Sequence, residues 1–297
     1  MTSPDFTVAL HMGVHKTATS HLQRSLHRAA DALADAGVRY YGPEHLRLPG
    51  RSLPALFGLK SGAKQRRTPA DQMALLRKGA DRLVLSEENF IGVLNTPRRR
   101  AVRVRYPDAA PRISALAQAM DCGGVDVFLG IRNPATYLNS AYGQMLLGGR
   151  VMPMAQFQRL NPISGVNWLD LVGRIRQTPG VNRLTVWRYE DYADVFSQIV
   201  GGLVGGERAD LAPPLNKRIH AGLSAAAVAA VLDNPDTDAT GQLANEARKN
   251  MPVGPEFAAF DGMSAADHAA GSKAYAVQIA GIRALDGVTF LQPAACT

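Results

Sequence analysis

Cysteine is nearly absent from this 297-residue chain: Cys122 and Cys296 are its only two, far apart and without metal-ligand spacing. They suggest neither a disulfide framework nor a zinc site. Aromatic residues make up only 6% of the sequence. No basic stretch is interleaved with them, so no recognised nucleic-acid-binding module is present. No run approaches the roughly 20 apolar residues a membrane-spanning helix needs. The opening MTSPDFTVALHMG has no basic leader region and no long apolar one, which reads as no signal peptide. A reducing cytoplasm is the expected compartment, at the membrane surface if the substrate is a lipid. Internal repeats are also lacking.

What the chain does contain is a globular balance, 46% hydrophobic and 20% charged residues, with enough length to bury a sizeable core. Nothing in it resembles a linker, so residues 1–297 are expected to form one elaborated domain. A net charge of +8 and a pI near 9.7 favour anions: nucleotides, phosphorylated or sulfated substrates, nucleic acid or an acidic membrane.

Short apolar, β-favouring runs predict strands over Phe6–Met12, Val38–Tyr41, Arg82–Ser86, Val125–Ile131, Arg183–Arg188 and near Val288–Leu291. Period-3.6 patterns predict helices from Thr19 to about Gly37, after Asn133-Pro134, over Trp168–Arg176 and near Val195–Leu203. Segments near 44–70 and 95–110 read as loop insertions, and the part from about residue 220 as helical. The first insertion carries KSGAKQRR and is either a solvated excursion or a substrate-facing lid. Alternating strands and helices imply an α/β fold, with a mostly parallel central sheet and helices on both faces. Ligands in such folds sit at the C-terminal ends of strands. Four polar clusters fall there: His15-Lys16, Glu87-Glu88, Arg132-Asn133 and Arg188-Tyr189-Glu190.

The first cluster lies in GVHKTATSHLQ, a turn between a strand and a helix. Such a turn presents unpaired backbone N–H groups and the positive end of a helix dipole. Lys16 adds a point charge there, and Thr17, Thr19 and Ser20 add hydroxyls. A Walker A loop needs Gly immediately before its Lys, and His15 stands in that place. An ordinary N-capped turn is the plain alternative.

GVHKTATSHLQ resembles the phosphosulfate-binding loop of sulfotransferases that use 3′-phosphoadenosine 5′-phosphosulfate (PAPS), particularly bacterial members with HKTGTT-like loops; Ala18 stands where they usually keep Gly. IRNPATYLNSAY resembles the family's 3′-phosphate-binding segment, with Arg132 at a strand end and Ser140 eight residues later. WRYEDY resembles its YED-type segment, making Tyr189 an adenine neighbour; packing in the core is the alternative. Asn216-Lys217-Arg218 resembles a late basic loop that covers the nucleotide. Ser86-Glu87-Glu88-Asn89-Phe90 resembles an SxEN stretch that carries the acceptor's base, at Glu88. The matches run in order through about two-thirds of the chain and end near Ser224.

The resemblance implies a P-loop-like three-layer fold and transfer of a sulfuryl group from PAPS to a carbohydrate, glycolipid or small-molecule acceptor. No metal and no nucleic-acid partner are expected. Gly13, His15, Lys16, Thr17, Ala18, Thr19, Ser20, Arg132, Ser140, Tyr189, Asn216, Lys217 and Arg218 would hold the nucleotide. Lys16, Glu88, Glu87 and His15 are the catalytic candidates, Lys16 stabilising charge on the leaving oxygen. Strand alternation puts Glu88 and Ser86 on one side and Glu87 on the other, so that one carboxylate faces the cofactor while its neighbour pairs with an arginine. Two solvated acids capping a loop is the simpler alternative. His11 reads as a packed strand histidine and His21 as structural. The arginine run PRRRAVRVR faces an acidic acceptor, the nucleotide or solvent. A P-loop kinase and a non-catalytic polyanion-binding protein are the rival functions.

Overall fold

In the computed structural model, residues 6–60, 67–94, 100–216, 222–234 and 240–294 are described. Its strands are β1 (Thr7–His11), β2 (Val38–Tyr41), β3 (Arg82–Ser86), β4 (Val125–Ile131), β5 (Val181–Arg188) and β6 (Val288–Phe290). They form one sheet in the order β2-β3-β1-β4-β5-β6, every neighbouring pair parallel. The helices of the first half are α1 (Thr19–Arg28), α2 (Ala30–Asp35), α3 (Pro43–Leu46), α4 (Leu53–Leu56), α5 (Pro69–Arg77), α6 (Ala109–Met120) and α7 (Pro134–Leu147). Those of the second half are α8 (Met154–Leu160), α9 (Trp168–Arg176), α10 (Phe196–Val204), α11 (Ala225–Leu232), α12 (Thr240–Asn250) and α13 (Ala265–Arg283).

Strand periodicity sorts the core into two layers. Ala9, Val84, Phe128 and Trp187 face one side, where Leu22, Leu26 and Leu33 of α1 and α2 meet Phe196, Ile199 and Leu203 of α10. Leu10, Leu85, Leu129 and Val186 face the other, against side chains of α5, α6, α7, α9 and α13. Each fully buried Leu in these layers contributes roughly 1.5–3 kcal/mol through apolar area removed from water. This is the three-layer α/β arrangement expected, with a parallel sheet between helices.

The chain leaves β1 into α1 on the first side and leaves β4 into α7 on the second. Because β1 and β4 are adjacent, their outgoing loops part and open a crevice at the C-terminal edge of the sheet.

Three details differ from the sequence reading. The expected helix from Thr19 to Gly37 breaks at Ala29, whose φ of −90° and ψ of 2° leave the helical region and separate α1 from α2. The segment near 44–70 is not plain loop: α3, α4 and the start of α5 fall in it, each with Pro in its first turn, where a missing N–H costs nothing. Helix α6 begins at Ala109, inside the expected 95–110 insertion. The basic cluster's residues 61–66, the arginine run's Arg98 and Arg99, and Cys296 lie outside the described residues. Among those described, no helix is long and apolar enough to cross a membrane.

Candidate active site

The loop after β1 is built on residues that seldom take left-handed backbone. Lys16 has φ 69° and Ala18 φ 62°, alternating with ordinary residues, which is the concave "nest" arrangement that turns successive N–H groups toward one point. Gly13, at φ 44°, lets the loop fold tightly over its own threonines; a Cβ there would lie 2.9 Å from Thr19 Oγ1. Burial alternates along the loop: His15, Thr17 and Thr19 are buried, whereas Lys16, Ala18 and Ser20 are half-buried. The hydroxyl of Thr17 donates to the carbonyl of Val14 at 2.6 Å, so it braces the loop. Thr19 Oγ1 is buried and has no hydrogen-bond partner among the described residues. Among the described residues, no hydrogen bond engages the amide N–H groups of Lys16 through Ser20.

His15 is locked by both ring nitrogens. Nδ1 meets the Tyr106 hydroxyl at 2.9 Å and Nε2 meets Asn89 Oδ1 at 3.0 Å. With Asn89 presenting its oxygen, Nε2 carries the proton and Nδ1 accepts from Tyr106. Tyr106 Oη also receives the His15 backbone N–H at 3.3 Å and lies 3.2 Å from Tyr137 Oη. Burial, partly offset by Asn89, Glu88 and Glu87, holds the imidazole's pKa below its ordinary value. Neutral and doubly bonded, His15 shapes the loop and has no lone pair free for proton abstraction.

Arg132, at the end of β4, reaches across the crevice to this loop. Its Nη1 donates to the carbonyl oxygen of Lys16 at 2.9 Å, and its Nε donates to Thr136 Oγ1 at 3.0 Å. The guanidinium carbon lies 4.3 Å from the ring centre of Tyr189, a cation–π distance. Tyr189 is half-buried at the crevice and not a core residue. Glu190 beside it accepts the N–H of Asn133 at 2.9 Å and the hydroxyl of Tyr275 at 3.0 Å, tying the end of β5 to the start of α7.

Helix α7 presents Thr136, Ser140 and Gln144 at i, i+4 and i+8, hence along one stripe. Thr136 holds Arg132, and Gln144 Oε1 accepts from Lys16 Nζ at 3.3 Å. The half-buried Ser140 therefore sits on the stripe between two residues that touch the site. Burial lowers the pKa of Lys16; the charges of Arg132 and Arg248 add to this and Glu88 opposes it. Arg248, on α12, thus adds the weakest of these charge effects at Lys16.

Glu87 pairs with an arginine, as expected of one of the two carboxylates, but Glu88 also touches that arginine. The backbone stays extended through Glu87, with φ −150° and ψ 106° and its N–H bonded to the His11 carbonyl at 3.0 Å, and a tight 3₁₀ turn begins at Glu88. Both carboxylates meet one guanidinium: Arg47, just past α3, makes a two-pronged contact to Glu87 at 2.9 and 2.8 Å and a longer one to Glu88 at 3.3 Å. Glu87 Oε1 also accepts the N–H of Asn89 at 2.9 Å. Glu87 is therefore structurally committed, and Glu88 keeps an oxygen for other work.

His11 is buried in β1, bonded through Nδ1 to Ser86 Oγ at 2.7 Å. His21 on α1 meets the Tyr192 hydroxyl at 2.8 Å and the Leu215 carbonyl at 2.9 Å. The second contact brings the exposed Asn216 close to the start of α1. Lys217 and Arg218 lie outside the described residues.

Arg47, Tyr106, Thr136, Gln144 and Arg248 were not among the residues expected from sequence. Only Thr136 and Gln144 had a signal, their spacing from Ser140. No group of three or more metal-ligating side chains gathers among the described residues.

No protein-family model matches this chain, and no curated protein matches it in sequence. Among solved structures it is similar to a sulfotransferase from Alicyclobacillus acidocaldarius, at 16% identity and a TM-score of 0.43, over 74% of this chain and 87% of that one. A likeness that distant carries no functional argument.

Proposed function

We propose that this chain is a sulfotransferase that moves a sulfuryl group from PAPS to a hydroxyl or amine of an acceptor. One observation carries the reading: five consecutive amide N–H groups, Lys16 to Ser20, have no partner among the described residues, at a helix N-terminus beside Lys16 and Arg132. That donor set fits a phosphate. The choice of phosphosulfate over triphosphate is supported by the loop sequence, with His15 where a Walker loop needs Gly, and by Arg132 followed by Ser140.

The donor supplies an electrophilic sulfur attached to a phosphate leaving group. The amides of Lys16 to Ser20 bind the 5′ phosphate, and the Lys16 ammonium, positioned by Gln144, meets negative charge at the bridging oxygen. Arg132 and Ser140 bind the 3′ phosphate, and Tyr189, stacked on Arg132, supports the adenine. Glu88 takes the acceptor's proton on its carboxylate. Glu87 is unsuited to that task because its oxygens serve Arg47 and Asn89, and His15 because both its nitrogens are bonded. Positioning and charge stabilisation supply most of the rate in such transfers.

The test is a thermal-shift comparison of desulfated PAPS (3′-phosphoadenosine 5′-phosphate) with ATP and magnesium. The reading expects a larger rise in melting temperature with the former, lost in Lys16→Ala. A larger rise with ATP and magnesium would instead favour a kinase.

A further inference from the structure

The run PRRRAVRVR is not a uniform solvated face. Arg100 and Arg103 are exposed, but Arg105 is 7% exposed. Its Nη2 donates to Asn161 Oδ1 at 2.9 Å and its guanidinium carbon lies 5.7 Å from the Tyr137 ring centre. Its Nε is buried with no hydrogen-bond partner among the described residues. Among the described residues no carboxylate pairs with it. A buried guanidinium cation without a counter-ion is costly unless something else neutralises it.

Arg105 lines a cavity of about 320 Å³, near the lower limit of roughly 300 Å³ for small-ligand pockets. Its walls divide about evenly between polar surface and the apolar side chains of Ile91, Val102, Met145, Met152 and Phe157. Its charged lining is three arginines, Arg105, Arg112 and Arg150, against the single carboxylate of Asp108. Asp108 is exposed and makes a loose ion pair with Arg112 at 3.7 Å.

The wall that carries Arg105 is anchored on several sides. Arg174 donates to the carbonyls of Arg105 and Tyr106 at 2.9 and 3.0 Å, and the Val102 N–H donates to the Leu160 carbonyl at 2.8 Å. Gly165 allows the close approach, since a Cβ there would lie 2.2 Å from the Val102 carbonyl oxygen. The pocket is thus preformed, which lowers the entropic cost of filling it. It is also joined to the loop after β1: Tyr106 lines it, holds a left-handed φ of 49°, and stacks on His15 at 5.8 Å.

We infer that this cavity binds a small organic anion, a body of up to three rings or a short chain bearing a single carboxylate or sulfonate, with Arg105 receiving the charge. Resting on the function proposed above, that anion is the acceptor, a hydroxylated amphipathic acid whose apolar body fills the cavity beside the Tyr106–His15 pair.

The test uses two fluorescent probes that differ by one group, 8-anilinonaphthalene-1-sulfonate and its uncharged parent N-phenyl-1-naphthylamine, titrated into the full chain without nucleotide. In Arg105→Met the sulfonate's Kd should rise about tenfold or more, the effect of losing a charge-assisted contact, while the parent's Kd stays within about twofold. Arg105→Lys, with the cation kept, should retain most of the sulfonate affinity, and Lys16→Ala should leave it unchanged, placing the probe away from the nucleotide site. Equal weakening of both probes in an Arg105→Met variant that melts like the wild type, or no weakening of either, would overturn the inference. Binding of desulfated PAPS is read separately: if it succeeds while the probe test fails, only this inference falls, and the reverse refutes only the sulfotransferase reading.

Discussion

Arg132 donates from Nη1 to the carbonyl oxygen of Lys16 across 2.9 Å, so the end of β4 holds the loop after β1 in shape. Residues 116 apart in sequence become one unit, with Thr136 and the Tyr189 ring completing the guanidinium's surroundings. Arg132→Ala should weaken binding of desulfated PAPS by about ten- to a hundredfold, the range for charge-assisted hydrogen bonds. Arg132→Lys should recover only part, because an ammonium cannot reproduce the fork. Calorimetric titration checks both.

Ala18 occupies left-handed backbone, φ 62° and ψ 17°, at the start of α1. That conformation costs a non-glycine residue roughly 1–2 kcal/mol, and glycine's extra unfolded-state freedom takes back about half. Ala18→Gly should therefore stabilise the fold by about 0.5–1 kcal/mol, read as a higher urea midpoint. An unchanged or lower midpoint would contradict the strain argument.

Glu87 and Glu88 should separate stability from turnover. Glu87 is buried, with a two-pronged bond to the half-exposed Arg47 and a further bond to the Asn89 N–H. Glu87→Gln should cost roughly 1–2 kcal/mol of stability, at the lower end for charged hydrogen bonds because Arg47 is solvated. Glu88→Gln should leave the melting temperature nearly unchanged while lowering kcat far more than it alters KM for PAPS, as expected for loss of a base.

Acid should destabilise the protein through His11. Burial pushes its pKa from 6.5 down to about 3. The unfolded chain takes up that proton below pH 6.5 and the folded one does not until about pH 3. Stability is therefore undiminished above 6.5 and falls as pH drops through the window. Between pH 8 and pH 5 this group alone removes roughly 2 kcal/mol, and the lowered pKa of His15 acts in the same direction. Urea unfolding across that range should show a shallower pH dependence in His11→Gln; an identical slope would contradict the assignment.

Much of the sheet could be read from sequence because its strands are short β-favouring runs and four of the six end at a polar cluster, as in Val125–Ile131 before Arg132. The α/β class and the crevice at strand ends followed from that alternation. α3 and α4 could not be read, being four residues each with no room for a helical period. Arg47 was hidden with them, and with it the reason Glu87 and Glu88 share one partner. Arg248 and Tyr106 reach the site only through long-range packing, α12 against α7 and a left-handed turn before α6. Nothing local in their sequence marks them. Ala18 was legible as a departure from a glycine, but only the backbone angle gives that departure an energy.

Calorimetric titration of desulfated PAPS into the wild type and Lys16→Ala tests most directly whether the loop from Lys16 to Ser20 holds a phosphosulfate nucleotide. One site per chain is expected in the wild type without added magnesium, and at least a tenfold loss of affinity in the variant, about the value of one charge-assisted contact. Absence of binding heat in the wild type at several temperatures, or equal affinity in the two proteins, would contradict it.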